Sequence, residues 1–453
     1  MQVRRHQSLS GARAVVALWL AGAVVSGCRT PPVDHRPARG TLLVFSDLRG
    51  ALKPCGCSPD LQRGGVDRIG DYVGVLRTGE PELPLLHAGD LLLDDEGIPA
   101  GREGQITRRV EALAEALRII GVQAATLGPS DLAAGPAWVE RSVKTLPLPL
   151  VGTNVGAPWS TFLKRSLVLR VDSLRVGVLA ALPPAPGVTS PAEALRAEAT
   201  VLRPQVDVIV ALSSLGLRET KRLFRADLGI DVVVAAGQDL KAVVTDEVES
   251  AGTARLIQSH IQGSHVGRLE LSVTAGAPVS LGWALQAILW DRPRHPDIAA
   301  VMKRYDADLE AINLKAAGTL PPLPAGAPSY VGQAKCLECH EQTQAFIAKD
   351  RHPLAWETLE KDGKTFDLEC VSCHSTGYGQ AGGSILGAMK GLVDVQCESC
   401  HGPGSRHADD GDTATIRRVV PESVCVTCHN PKHSTQFNYD TYRSRLLVPG
   451  HGR

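Results

Sequence analysis

"TLLVFSD", residues 41–47, is a short apolar run that stops on an aspartate. Runs of this length read as strands. "LPLLHAGDLL" (83–92) repeats the pattern, again with an aspartate near its end. "VEALAEALRIIG" (110–121) has helical spacing, and "QAATLGPSD" follows it. "LRVGVLAAL" (174–182), "VDVIVALSS" (206–214) and "IDVVVAAGQ" (230–238) are further β-branched runs. Strands that alternate with helical stretches predict an α/β domain over 40–295. "DIAAVMKRYDADLEAINLKA" (297–316) reads as a closing amphipathic helix. "AGTLPPLPAGAPS" (317–329) reads as a linker, so 296–329 is expected to be helix and Pro-rich linker.

The chain has 453 residues, enough for two or more domains. Lysine and arginine balance aspartate and glutamate at 48 each, so nothing points to nucleic acid. The N-terminus carries Arg4, Arg5 and Arg13, then the apolar run "AVVALWLAGAVV" (14–25), then "VSGC". This resembles a bacterial lipoprotein signal, which implies cleavage before Cys28 and lipidation of that cysteine. Residues 1–28 are therefore expected to be a signal peptide and 29–39 a tether. The expected location is the periplasm or the cell surface, with a lipid anchor in the membrane.

Eight of the eleven cysteines lie between 336 and 428. They form four C-x-x-C-H motifs: Cys336-Cys339-His340, Cys370-Cys373-His374, Cys397-Cys400-His401 and Cys425-Cys428-His429. Two thiols three residues apart can add to the two vinyl groups of one haem. The histidine that follows is then placed beneath the iron. Zinc ribbons also use paired C-x-x-C, but they do not require a histidine after every pair. Residues 330–453 are thus expected to form a mostly α or irregular domain around four covalent c-type haems. About thirty residues per haem is too little chain for an ordinary core, so the porphyrins must supply buried apolar surface.

Sixth ligands have few sources. Met389 is the only methionine in this region. The spare histidines are His352, His407, His433 and His451. His407 lies six residues after His401, and His433 four after His429, so neither easily reaches the far face of its own haem. All four are candidate distal ligands. "YVGQAKCLECHEQTQAF", "RHPLAWETL", "CVSCHSTGYG" and "VQCESCHGPGSRH" resemble the tetrahaem cytochrome c-554 family over about 120 residues. That resemblance implies electron transfer between periplasmic partners. It implies that His352 and His407 serve haems other than those of their neighbouring motifs. It also implies that one iron can lack a distal ligand, where a small molecule could be reduced.

Residues 40–290 resemble calcineurin-like metallophosphatases of the 5′-nucleotidase type, whose layered α/β sandwich carries two metals on aspartates and histidines at strand ends. Here those stretches are depleted. Asp47 and Asp90 remain. Arg49, Pro129, Ser130, Ser214, Gln238 and Leu240 stand where the resemblance calls for Asn and His. The expectation is a retained fold without a dinuclear metal site and without hydrolysis. "KPCGCSPDLQRGG" (53–65) adds Cys55 and Cys57, a candidate redox pair. His87, His260 and His265 read as structural.

The resulting expectation is an exported multihaem cytochrome that exchanges electrons with redox partner proteins. The first alternative is a haem-based reductase of a small nitrogen or sulfur compound. The second is a metal-dependent phosphoesterase fused to a cytochrome.

Overall fold

In the computed structural model, β1 (Ala38–Ser46), β2 (Leu85–Ala88) and β3 (Ala124–Ala125) are parallel neighbours. Helices α1 (Val66–Arg77) and α2 (Glu103–Ile120) connect them, and α3 (Pro129–Ala133) and α4 (Pro136–Val143) follow. A second sheet begins with β4 (Leu167–Val171), antiparallel to β5 (Leu174–Ala181). β6 (Val208–Ser213) and β7 (Val232–Ala235) continue it in parallel, reached through α5 (Pro191–Leu202) and α6 (Leu217–Leu223). β8 (Glu249–Ala251) and β9 (Ala254–Gln258) complete that sheet, and β10 (His265–Val273) and β11 (Ser280–Ala287) return to the first. The orders are β11–β10–β1–β2–β3 and β4–β5–β6–β7–β9–β8. The structure describes residues 37–54, 62–144, 146, 148–237, 245–274, 276–430, 433–434, 436–448 and 451. Cys28 with its signal segment, the Cys55–Cys57 pair, Gln238 and Leu240 lie outside the described residues.

The apolar runs are continuous because their strands are buried on both faces. Along β1, Leu42 and Val44 pack between the two sheets, while Leu43 and Phe45 pack beneath the helices of the first sheet. Along β6, Val208, Val210 and Leu212 face the other sheet, and Ile209 and Ala211 face the outer helical layer. The result is a four-layer α/β/β/α sandwich. After β11, α7 (Pro296–Ala316) buries Ile298, Val301, Met302, Tyr305 and Leu309 in the same cluster as Ile106, Val110, Leu113 and Leu117 of α2.

Beyond residue 330 the chain forms short helices with a very small core of Leu359, Val371 and Leu386. The segment just before the second C-x-x-C-H motif docks on α2 and α7. Gln105 donates to Asp367 at 2.6 Å, and Leu368 N–H donates to Gln105 Oε1 at 3.0 Å. Asn313 Nδ2 donates to Gln105 Oε1 and to the Phe366 carbonyl, both at 2.7 Å. Gln105 and Asn313 are each 1% exposed, so these bonds have no water to replace them. Asn313→Ala is expected to cost about 1–3 kcal/mol, read as a lowered melting temperature of the full chain.

Candidate functional site

All eight described cysteines are unpaired thiols, and seven are partly buried. Each motif occupies one helical turn. His340, His374 and His429 N–H groups donate to the carbonyls of Cys336, Cys370 and Cys425 at 3.0, 3.2 and 2.8 Å. Cys397–His401 is itself a helix. One turn puts both thiols and the imidazole on the same side, as haem attachment requires. The four motifs line one cavity of about 2350 Å³. That is more than twice the roughly 1,000 Å³ upper end of ordinary small-molecule pockets. Such a volume fits several large groups.

Three pairs of imidazoles face each other inside it. His340 and His407 have ring centroids 6.2 Å apart, His352 and His429 6.1 Å, and His401 and His451 6.2 Å. A metal-bound imidazole nitrogen sits about 2.0 Å from its metal, so two rings on opposite sides of one iron have centroids about 6 Å apart. The nitrogens are also correctly committed. His374, His401, His407 and His451 each direct Nδ1 at a carbonyl, of Ala355 (2.6 Å), Arg417 (2.6 Å), Asp412 (3.2 Å) and Leu446 (2.9 Å). His352 directs Nδ1 at Asp350 Oδ2 at 2.9 Å. A carbonyl only accepts, so Nδ1 carries the hydrogen and Nε2 presents its lone pair. These residues fit haem iron.

Two residues behave differently. Among the described residues no imidazole faces His374 at such a distance. His433 lines the cavity, but its ring is in none of the three pairs. Met389 lines a separate small pocket with Trp356, Phe366 and Leu386, and is not among the residues lining the large cavity.

The strand ends of the α/β domain hold the other candidate residues. Asp47 follows β1 at φ 47°, and its carboxylate accepts from the N–H groups of Asp90 (3.0 Å) and Gly237 (2.9 Å). Gly89, at φ +82°, cannot be replaced, because a Cβ there would stand 1.9 Å from Asp47 Oδ1. Asp90 follows β2 and accepts from Ser130 N–H at 2.8 Å and Ser130 Oγ at 2.9 Å. Asp131 accepts from the N–H groups of Leu91, Leu92 and Leu93 at 2.7–3.0 Å. Sequence reading did not single out Asp131. Its only signal was the acidic residue after Ser130, and its role is to hold the loop that carries Asp90.

Burial raises the Asp47 carboxyl above its usual value. Burial and the neighbouring Asp131 push Asp90 up to about 8, and burial pushes Asp131 to about 6. Arg49, at φ 52°, draws both Asp47 and Asp90 back toward ionisation and meets Asp95 at 3.5 Å. Ser214 Oγ donates to the Leu127 carbonyl at 2.7 Å and so is turned toward the backbone. His87 is buried and held near pKa 3 by desolvation, with Nε2 accepting from Leu48 N–H at 3.3 Å. His260 and His265 stack at 4.7 Å, and Nδ1 of each lies within 3.2 Å of Ser264 Oγ. Among the described residues no group of three or more His, Cys, Asp or Glu is placed to hold a metal ion. No described helix is long and apolar enough to cross a membrane.

The two regions meet. Arg49, Lys53, Arg63, Arg109, His260 and Tyr305 of the α/β domain line the same large cavity as the four motifs. Lys53 bonds both oxygens of Asp306 at 2.6 and 2.8 Å, and Arg109 bonds Glu369 at 2.5 Å. Arg109 and Lys53 carry no motif, so nothing in the sequence marked Arg109, and Lys53 stood out only as a flank of Cys55.

Residues 335–402 match the family described as cytochrome c554 and c-prime, a span that includes the first three C-x-x-C-H motifs. No curated protein matches the chain. Among solved structures, the chain is similar to a 5′-nucleotidase precursor from Thermus thermophilus, with a TM-score of 0.52 and 19% identity over 60% of this chain. That match spans 59% of the nucleotidase's own length. It is also similar to NAD nucleotidase from Haemophilus influenzae, with a TM-score of 0.51 and 15% identity, covering 66% of this chain and 65% of that one. A third is the sulfate thiohydrolase SoxB from Thermus thermophilus, with a TM-score of 0.50 and 16% identity, covering 68% and 67%. The chain therefore joins a cytochrome c554-like, haem-binding segment to an α/β domain with the phosphoesterase fold.

Proposed function

We propose that this protein is an exported multihaem c-type cytochrome that carries electrons between periplasmic or cell-surface redox partners. Its α/β domain serves as a scaffold and not as a hydrolase. The observation that carries the reading is the set of three facing imidazole pairs, with Nδ1 of four of the cavity's rings held by carbonyls and that of His352 by a carboxylate.

Haem iron supplies one-electron chemistry when bound. In this reading Cys336 and Cys339, Cys370 and Cys373, Cys397 and Cys400, and Cys425 and Cys428 attach four haems. His340, His374, His401 and His429 are the proximal ligands. His407, His451 and His352, whose rings lie beside those of His340, His401 and His429, would be the second imidazoles that hold those haems. Bis-histidine ligation lowers potentials relative to histidine–methionine, and the position of Met389 outside the cavity agrees with that choice. Peptide mass analysis checks the count directly: four haem additions are expected, one on each cysteine pair.

A second reading rests on His374, which no imidazole faces among the described residues. Its iron would keep an exchangeable position, where a small nitrogen or sulfur compound could be reduced. One high-spin component in four, shifted by added nitrite or nitric oxide, is the expected result. Four low-spin haems would exclude this reading. Export and a lipid anchor on Cys28 rest on residues 1–28, and globomycin-sensitive processing tests them.

Hydrolysis is expected to be absent. Asp47 and Asp90 retain carboxylates, but Arg49, Ser130 and Ser214 offer no metal-binding imidazole. Full-length protein with added manganese should give no phosphodiester turnover above buffer. Turnover abolished by Asp47→Asn would establish the phosphoesterase alternative.

A further inference from the structure

We propose that Asp350 strengthens His352 as an electron donor to iron, and so lowers the reduction potential of the haem that His352 and His429 hold. This rests on the proposed attachment of a haem at Cys425 and Cys428, with His352 as its second imidazole.

The local chain places the carboxylate. Asp350 follows the short helix Gln344–Ile347, and its N–H donates to the carbonyls of Phe346 (3.1 Å) and Ile347 (3.2 Å). The side chain then turns onto the next two residues. Oδ1 accepts from Arg351 N–H at 2.7 Å, and Oδ2 accepts from His352 Nδ1 at 2.9 Å. The His352 carbonyl accepts from Val395 N–H at 3.2 Å, so its backbone is held as well as its ring. Asp350, His352 and His429 all line the large cavity, and the rings of His352 and His429 are 6.1 Å apart.

Other rings of the three facing pairs have weaker partners. His401, His407 and His451 direct Nδ1 at backbone carbonyls, and Nδ1 of His429 is 3.4 Å from Ser434 Oγ. A carbonyl is a neutral dipole, whereas a carboxylate carries a full charge. A hydrogen bond to an ionised acceptor is roughly twice as strong as one to a neutral acceptor. Drawing the Nδ1 hydrogen toward Asp350 leaves more electron density on Nε2 and raises its basicity as a ligand. A more basic imidazole favours ferric iron and lowers the potential. The Asp350 side chain is 19% exposed, so water screens this bond only in part.

The charge has a second route. Asp350 also acts electrostatically on Cys400 of the third motif. A field acting through space would therefore reach the haem on Cys397 and Cys400 too, without changing the ligand field of either iron. The route through His352 acts on one haem and changes its ligand field.

The test uses the full chain with its haems, by redox titration and near-infrared magnetic circular dichroism. Asp350→Asn keeps an acceptor for His352 Nδ1 but removes the charge. It should raise the potential of the haem on Cys425 and Cys428 by about 59 mV, a tenfold shift in its ferric-to-ferrous equilibrium. The charge-transfer band of that haem should move to lower energy. The haem on Cys397 and Cys400 should shift less, with its band unmoved. Asp350→Glu, which keeps the charge, should recover part of the change. Equal shifts in both haems with neither band moved would mean a field effect alone, and would overturn the proposal. So would an unchanged potential in Asp350→Asn with four haems attached. A haem that turns high-spin in Asp350→Asn would mean that the carboxylate merely places the ring, and overturns it as well. If His352→Ala leaves the haem on Cys425 and Cys428 low-spin, the ligand assignment itself fails, and this proposal fails with it.

Discussion

Replacing His407 by alanine is expected to turn one low-spin haem high-spin while leaving the haem on Cys397 and Cys400 unaltered. The ring of His407 faces His340 at 6.2 Å, whereas His401, its near neighbour in sequence, faces His451. Nδ1 of His407 is held by the Asp412 carbonyl, so Nε2 is the nitrogen that is free to bind. Alanine removes that donor, and no methionine lines the cavity to replace it. The number of low-spin haems should fall by one by magnetic circular dichroism. The potential of the affected haem should rise, because it loses an electron-donating axial imidazole. His352→Ala and His451→Ala should each do the same to a different haem, and His433→Ala should change none. Four unchanged spectra in His407→Ala would break the assignment, as would a change confined to the haem on Cys397 and Cys400.

Asp90→Asn should stabilise the α/β domain at alkaline pH and have little effect near pH 4. The Asp90 carboxyl is raised from 3.8 to about 8 by burial and by Asp131. Its folded-state pKa is therefore above its unfolded one. The folded chain holds the extra proton more tightly, so this contribution to stability is complete below about pH 4 and is lost as pH rises through about 8. Asparagine imitates the protonated form. Its oxygen can accept from Ser130 N–H, and its amide can donate to a rotated Ser130 hydroxyl. The expected gain is about 1–2 kcal/mol at pH 8.5, well below the full value of the shift, or about 2–4 °C in the melting temperature of a domain of this size. A divalent cation held by Asp90 would reverse the sign, because the variant would then lose a ligand. Melting curves at both pH values, with and without manganese, therefore separate the scaffold from the metallophosphatase alternative.

The α/β sandwich was legible because its strands are short, apolar and buried on both faces. "TLLVFSD" and "VDVIVALSS" expose that pattern directly, since Leu42 and Leu43, or Val208 and Ile209, must serve opposite faces of one strand. At the strand ends only residue type was legible: Arg49, Ser130 and Ser214 stand where the resemblance calls for histidine. Their arrangement was not. Arg49 adopts a left-handed backbone, Ser130 turns onto Asp90, and Asp131 secures three consecutive amides. Those relations depend on how loops from different strands come together.

The same division holds in the cysteine-rich half. Attachment chemistry is local: two thiols and an imidazole within one helical turn can be recognised from five residues. The pairing of the imidazoles is not local. His340 meets His407 across 67 positions, and His352 meets His429 across 77, through short helices with almost no core of their own. The number of spare histidines set the candidates, but only packing could bring His451 opposite His401 and leave His433 outside the pairs. Distance in the chain hid the contact between the halves more completely still. Arg109 and Glu369 are 260 residues apart and belong to no motif, yet they join the α/β domain to the residue beside Cys370. A salt bridge of this kind is written in the sequence only as two ordinary charges. The fold makes it a contact by stacking α2 and α7 beneath the second C-x-x-C-H turn.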